Sequence, residues 1–195
     1  MPRFLTFLLI LSCSDIVDIE TSDYLPFKKF STWIYLDKEN KEFKISAIKS
    51  DSFFIILDFE GEREYISNTG DMLMIKRVVE YSDNENLIVA FNGDVPYFPY
   101  PFVNGFNKEY AFSGDGYLIK VSIKVQREEL RYAINYDYFE KTINTQKSIH
   151  RYYIFAPDSF IVYAKLGPDT TILNNVYFIS KEKELVLKQL LLRND

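Results

Sequence analysis

Cysteine and histidine are nearly absent: each occurs once in 195 residues, as Cys13 and His150. A single cysteine excludes an internal disulfide, and together the two residues cannot supply the usual zinc donor sets. A serine-histidine-carboxylate triad would have to use His150, which stands in Ser148-Ile149-His150-Arg151 with no motif around a candidate serine. That context gives His150 a structural or surface role, and no metal or cofactor is expected. Glycine and proline are scarce at seven each, and Gly114 and Gly116 fit a turn better than a phosphate-cradling loop. Basic residues are scattered through a chain of net charge −5, which argues against a nucleic-acid groove or a polybasic lipid patch. Spanning segments are missing as well. The apolar run at 4–11 has about 8 residues, against the roughly 20 that a transmembrane helix needs.

What is present begins with that run. Met1-Pro2-Arg3, one positive charge, precedes Phe4-Leu5-Thr6-Phe7-Leu8-Leu9-Ile10-Leu11, and a small residue, Ser12, stands before Cys13. These are the parts of a minimal signal peptide. Ile10-Leu11-Ser12-Cys13 resembles the bacterial lipobox. The resemblance implies a leader at 1–12, cleavage before Cys13, and diacylglycerol on the Cys13 sulfur with further acylation of the new amine. Such chemistry uses a cysteine because a thiolate is a good nucleophile under mild conditions. Two or three acyl chains anchor firmly, at about 0.8 kcal/mol per buried methylene. Ser14 follows the cysteine, and Asp15 lies one place too late for the inner-membrane retention signal. The resemblance therefore implies a protein of the cell envelope, lipid-anchored on the periplasmic face of the outer membrane.

After such cleavage about 183 residues remain, at a net charge of about −6, enough for one cored domain. Residues 13–27, with Asp15, Asp18, Glu20 and Asp23, read as a tether. From 28 onward the apolar period is two. Strands are expected at 30–36, 43–48, 53–57, 63–67, 72–75 and 77–81, and then at 109–112, 117–125, 130–138, 152–155, 160–166 and 176–179. Turn signals fall at 37–40, 68–71 and 113–116. Residues 84–91 read as about two helical turns, with Asp83 or Asn84 as N-cap and Gly93 as the stop. Pro96-Tyr97-Phe98-Pro99-Tyr100-Pro101-Phe102 reads as an extended aromatic loop, because proline lacks the N–H a central strand uses. Leucines at 187, 190 and 191 suggest a short helix in the tail 181–195. The expected fold is all-β with minor α: one curved antiparallel sheet or incomplete barrel of about 10–11 strands, with a short helical, proline-rich lid over the 28–180 domain.

This order of elements resembles the LolA/LolB family of periplasmic lipoprotein carriers and outer-membrane receptors. The resemblance implies an incomplete barrel with a helical lid over 84–102, an apolar cavity for acyl chains, and lipoproteins or a periplasmic carrier as partners. It also implies an apolar residue on a protruding loop that touches the membrane. In Asp58-Phe59-Glu60-Gly61 that residue is Phe59. An acyl cavity needs an apolar concave face with few polar groups to strand. Trp33, Phe54, Ile56, Met72, Met74, Ile119 and Val121 are the residues expected near it, the methionines because their side chains adapt to irregular ligands. Ordinary core is the competing reading of each.

The leading expectation is a monomeric, non-enzymatic carrier or receptor of acyl chains. An anchored scaffold is the alternative, with the aromatic segment 97–102 as its contact surface. A hydrolase using Glu60, Glu62 and Glu64 ranks last, since a solvated strand edge accounts for that alternation.

Overall fold

The computed structural model describes residues 32–50, 54–59, 62–83, 86–157 and 160–191. The leader, Cys13, the tether and Glu60 lie outside the described residues. Every described element is a strand. In chain order they are β1 (Thr32–Leu36), β2 (Glu42–Ser50), β3 (Phe54–Phe59), β4 (Glu62–Asn68), β5 (Met72–Asp83), β6 (Asn86–Pro99) and β7 (Asn107–Gly114). These are followed by β8 (Tyr117–Glu128), β9 (Arg131–Thr142), β10 (Thr145–Ala156), β11 (Phe160–Leu166), β12 (Thr170–Leu173), β13 (Val176–Ile179) and β14 (Lys183–Leu191).

They form one 14-stranded antiparallel sheet, nearly closed as a barrel, in the order β6-β5-β4-β3-β2-β1-β14-β11-β10-β9-β8-β7. Two meanders, β1–β6 and β7–β11, are joined by β14, which pairs β1 on one side and β11 on the other. The β12–β13 hairpin extends the sheet beside the first half of β10. The sheet curls until its halves meet face to face. The Tyr97 ring of β6 lies edge-on to Tyr136 of β9 at 5.1 Å, and Phe98 lies 5.3 Å from Phe155 of β10.

Strand phase follows burial. In β8, Ile119, Val121, Ile123 and Val125 are buried while Lys120 and Lys124 are exposed. In β9, Tyr132, Ile134, Tyr136 and Tyr138 repeat the pattern. The hairpin between β7 and β8 needs glycine at 116, where φ is +79° and an added Cβ would fall 2.7 Å from the Tyr81 ring. Asn174 and Asn175, with φ of 48° and 65°, make the two-residue turn between β12 and β13.

Three expectations are corrected. Residues 84–91 are not a helix: the described part, from Asn86, is the start of β6 and pairs with the end of β5, Asp83 facing Asn86. An isolated two-turn helix is marginal in water, whereas here Asn86, Leu87, Ile88, Val89 and Phe91 each gain a ladder partner in β5 and Ile88 and Val89 favour extended backbone. Nor is the aromatic segment a loop throughout, since β6 runs to Pro99. Its prolines are tolerated because β6 is the edge of the sheet, paired only with β5. Tyr97 is the extra residue of a bulge, so Pro96 and Pro99 face Met74 and Met72 in the same phase. The tail as far as Leu191, its last described residue, is not helical either. Its alternation of Leu185 and Leu187 with Val186 and Lys188 is the period of β14, and only Leu185 among the first pair is fully buried.

Candidate functional site

One side of the barrel encloses a cavity of about 380 Å³, inside the size range of small-ligand sites. Its walls come from inward positions of β1, β2, β3 and β4 on one side and of β10, β11 and β14 on the other, with Tyr97 and Phe98 of β6 across the end. Phe43, Ile45, Leu57, Ile66, Phe160, Ile161, Ala164, Leu166 and Leu185 supply hydrocarbon. The polar exceptions are Tyr35, Tyr97, Tyr153, Glu64 and Arg151.

These exceptions are ordered. The Tyr97 and Tyr153 hydroxyls share a hydrogen bond of 3.1 Å. Arg151 donates from Nη1 and Nη2 to the two carboxylate oxygens of Asp169 at 2.6 and 2.8 Å, and from Nη1 to the His150 carbonyl at 2.8 Å. Arg77 Nη2 stands 3.8 Å from Glu64 Oε1, and the Arg77 guanidinium lies 5.7 Å from the centre of the Tyr138 ring. Burial works against the charge of both arginines, yet Glu64 holds Arg77, and Asp169 holds Arg151, above the ordinary guanidinium value. Burial raises the Tyr35, Tyr97 and Tyr153 phenols, Tyr153 to about 12, with Glu64 adding to the shift at Tyr153. At neutral pH the cavity wall therefore presents neutral phenols beside the Arg151 cation, which faces Asp169, while the wall's Glu64 faces Arg77, which is not itself a lining residue.

The residues expected at a cavity are placed elsewhere. Trp33 is fully buried and packs on Phe160, a lining residue, with centroids 4.7 Å apart. Ile119 and Val121 are buried in β8, in the packed half of the barrel. Ile56, Met72 and Met74 are only half-buried and lie in the opposite phase to the buried Leu57, Leu73 and Ile75. Phe54 faces Ser67 in the ladder. The six whose side chains are described, Trp33, Ile56, Met72, Met74, Ile119 and Val121, do not line the cavity, and the Phe54 side chain lies outside the described residues. Phe59 is the last residue of β3, paired with Glu62 and Ile45, rather than part of a four-residue protruding connection. The aromatic segment offered as a contact surface is core, with Tyr97, Phe98 and Phe102 all buried. Glu64, expected on a solvated edge, faces the interior, with only 28% of its side chain exposed. His150 sits outside the barrel, exposed, with Nδ1 2.7 Å from Asp137 Oδ1.

One signal for the site was available in the sequence. Ile149, Arg151, Tyr153 and Phe155 share a phase, which places an arginine among core residues.

Fold and site together define a class: a nearly closed antiparallel β-barrel with an internal, mostly hydrocarbon cavity bearing a polar pole. No protein-family model and no curated protein matches this chain. A similar solved structure is the 2.70 Å crystal structure of a protein provisionally described as a lipoprotein from Parabacteroides distasonis ATCC 8503. It has 9% identity and a TM-score of 0.43, over 86% of this chain and 97% of that one.

Proposed function

We propose that this protein is a lipid-anchored envelope protein that binds an acyl or similarly apolar chain inside its barrel, as carrier or receptor and without chemistry. The observation that carries the reading is the cavity, since a scaffold needs none and a close-packed interior is the default for a domain of this size. A void of about 380 Å³ walled by hydrocarbon sheds water and gains contacts when an apolar chain fills it. The lipobox-like start supports the anchor, and outer-membrane placement follows from the residues after Cys13. The LolA/LolB resemblance contributes the kind of ligand, a lipoprotein acyl chain. The lid it implied has no counterpart among the described residues, which are all strand or connection.

The test is binding of a fluorescent acyl probe by the full-length chain. Ala164 lines the cavity and is buried, so Ala164→Phe should fill the void and abolish binding with near-UV dichroism retained. Leu57→Trp, on the facing wall, is the second filling variant in case the first fails to fold. Absence of binding, or binding unaffected in both folded variants, overturns the reading. Mass spectrometry of the native protein tests the anchor: an unmodified Cys13 with the leader attached removes it.

The scaffold reading keeps one observation in its favour. Val176, Tyr177, Phe178 and Ile179 of β13 are all exposed, on a strand paired only with β12. Such an edge is a template for strand addition. Phe178→Lys should weaken concentration-dependent association in sedimentation while leaving probe binding intact. Unchanged association would remove this support.

A further inference from the structure

We infer that the polar pole of the cavity selects a neutral, hydrogen-bond-accepting head, such as the ester end of a monoacylglycerol, over a fatty-acid carboxylate. The inference rests on the apolar-chain reading above and deepens it by naming the ligand's polar end.

The first observation is Tyr35. Its side chain is fully buried, it lines the cavity, and its hydroxyl has no hydrogen-bond partner among the described residues. Buried hydroxyls are almost always paired, so an unpaired one on a cavity wall marks a place where something else accepts the bond. The Tyr35 phenol lines the same cavity as the hydrogen-bonded Tyr97 and Tyr153 pair. Tyr97 and Tyr153 use one proton between them in their mutual hydrogen bond, so the pair retains a second proton to donate. The pole is therefore rich in neutral donors.

The second observation is charge. Arg151 is held bidentately by Asp169, and Arg77 faces Glu64. Two cations are matched by two carboxylates, and Glu64 itself is part of the wall. An incoming carboxylate would lose its hydration, find both guanidinium groups facing protein carboxylates, and meet the negative charge of Glu64. An ester carbonyl would accept from Tyr35 without that cost, and a glycerol hydroxyl could donate to Glu64.

The experiment compares monolaurin with laurate, which share one chain length, on the full-length chain at mildly alkaline pH, by displacement of the acyl probe. Monolaurin should bind at least about tenfold more tightly than laurate. Tyr35→Phe should weaken monolaurin by about fivefold to tenfold, the worth of one neutral hydrogen bond, and leave laurate unchanged. The unliganded Tyr35→Phe chain should melt no earlier than the parent, which separates lost recognition from lost folding. Equal binding of the two ligands, or a folded Tyr35→Phe chain that binds monolaurin as before, overturns the inference while leaving the cavity reading intact. Failure of both ligands and of the probe overturns the two together.

Discussion

Arg151 shows how much one side chain decides here. It occupies a phase otherwise taken by Ile149, Tyr153 and Phe155, and its head is held by Asp169 from the connection after β11. Both side chains are less than a quarter exposed, so removing one leaves the other poorly solvated. Arg151→Ala should cost about 2 kcal/mol, read as a lower urea midpoint with unchanged slope. The buried tyrosines make a second prediction at this scale. Burial raises Tyr35, Tyr97, Tyr136, Tyr138 and Tyr153 from an ordinary value of 10.0, Tyr153 to about 12. The folded chain thus keeps protons that the unfolded chain releases first. Their contribution to stability is complete below pH 10 and is lost as the pH climbs towards 12. Denaturation midpoints should hold up to pH 10 and fall beyond it, with the phenolate absorbance of these residues appearing together with unfolding. Phenolate absorbance complete before the unfolding transition would contradict the burial argument.

Among the elements, β14 and β6 carry opposite tolerances. β14 is paired on both sides, with Val186 facing Leu36 of β1 and Tyr163 of β11, so it is the seam between the two meanders. Val186→Pro should remove a ladder bond and unseat the joint, costing more than about 3 kcal/mol, seen as loss of the cooperative far-UV transition. β6 already carries Pro96 and Pro99 because one of its sides is open. The expectation that residues 96–102 form a loop came from applying the rule for central strands to an edge strand. Position in the sheet is not written in a local sequence. The helix expected at 84–91 has the same origin. Leu87 is 66% exposed and Val89 52%, so no apolar face of that segment is buried by a helix, and pairing with β5 decides its conformation.

For the whole molecule, the two meanders are held at one end by more than β14. Asn144 donates from Nδ2 to the Ser82 carbonyl at 3.3 Å, and Asn174 donates from its backbone N–H to the Asn144 carbonyl at 3.0 Å. The end of β5 and the turns after β9 and β12 are thereby linked in series. The described chain begins at Thr32, at the opposite end of β1 from its turn into β2, and the β12–β13 hairpin projects from the end remote from Thr32. Ligand binding should act on this body as a unit. A ligand at about 100 times its Kd adds about 2.7 kcal/mol to the folded state, which for a domain of this size raises Tm by roughly 5–10 °C. Thermal scans with increasing monolaurin check this, and a Tm insensitive to ligand would count against occupancy of the interior.

The sequence by itself determined the all-β class, the clean alternation of β8 and β9, the hairpin at 115–116, and the likeness of its first thirteen residues to a lipobox. Each of these depends only on neighbours a few positions apart: a period of two, a glycine that tolerates positive φ, a cysteine behind a small residue. Only the tertiary structure decided which face of the wholly apolar runs 54–57 and 72–75 points inward, because a run without polar residues has no visible phase. It also decided that Glu64 and Arg151 enter the same cavity from strands on opposite walls, and that the last strand closes the sheet. Contacts across the barrel join residues far apart in the chain, Tyr97 with Tyr136 and Phe98 with Phe155 among them, and no local pattern encodes them.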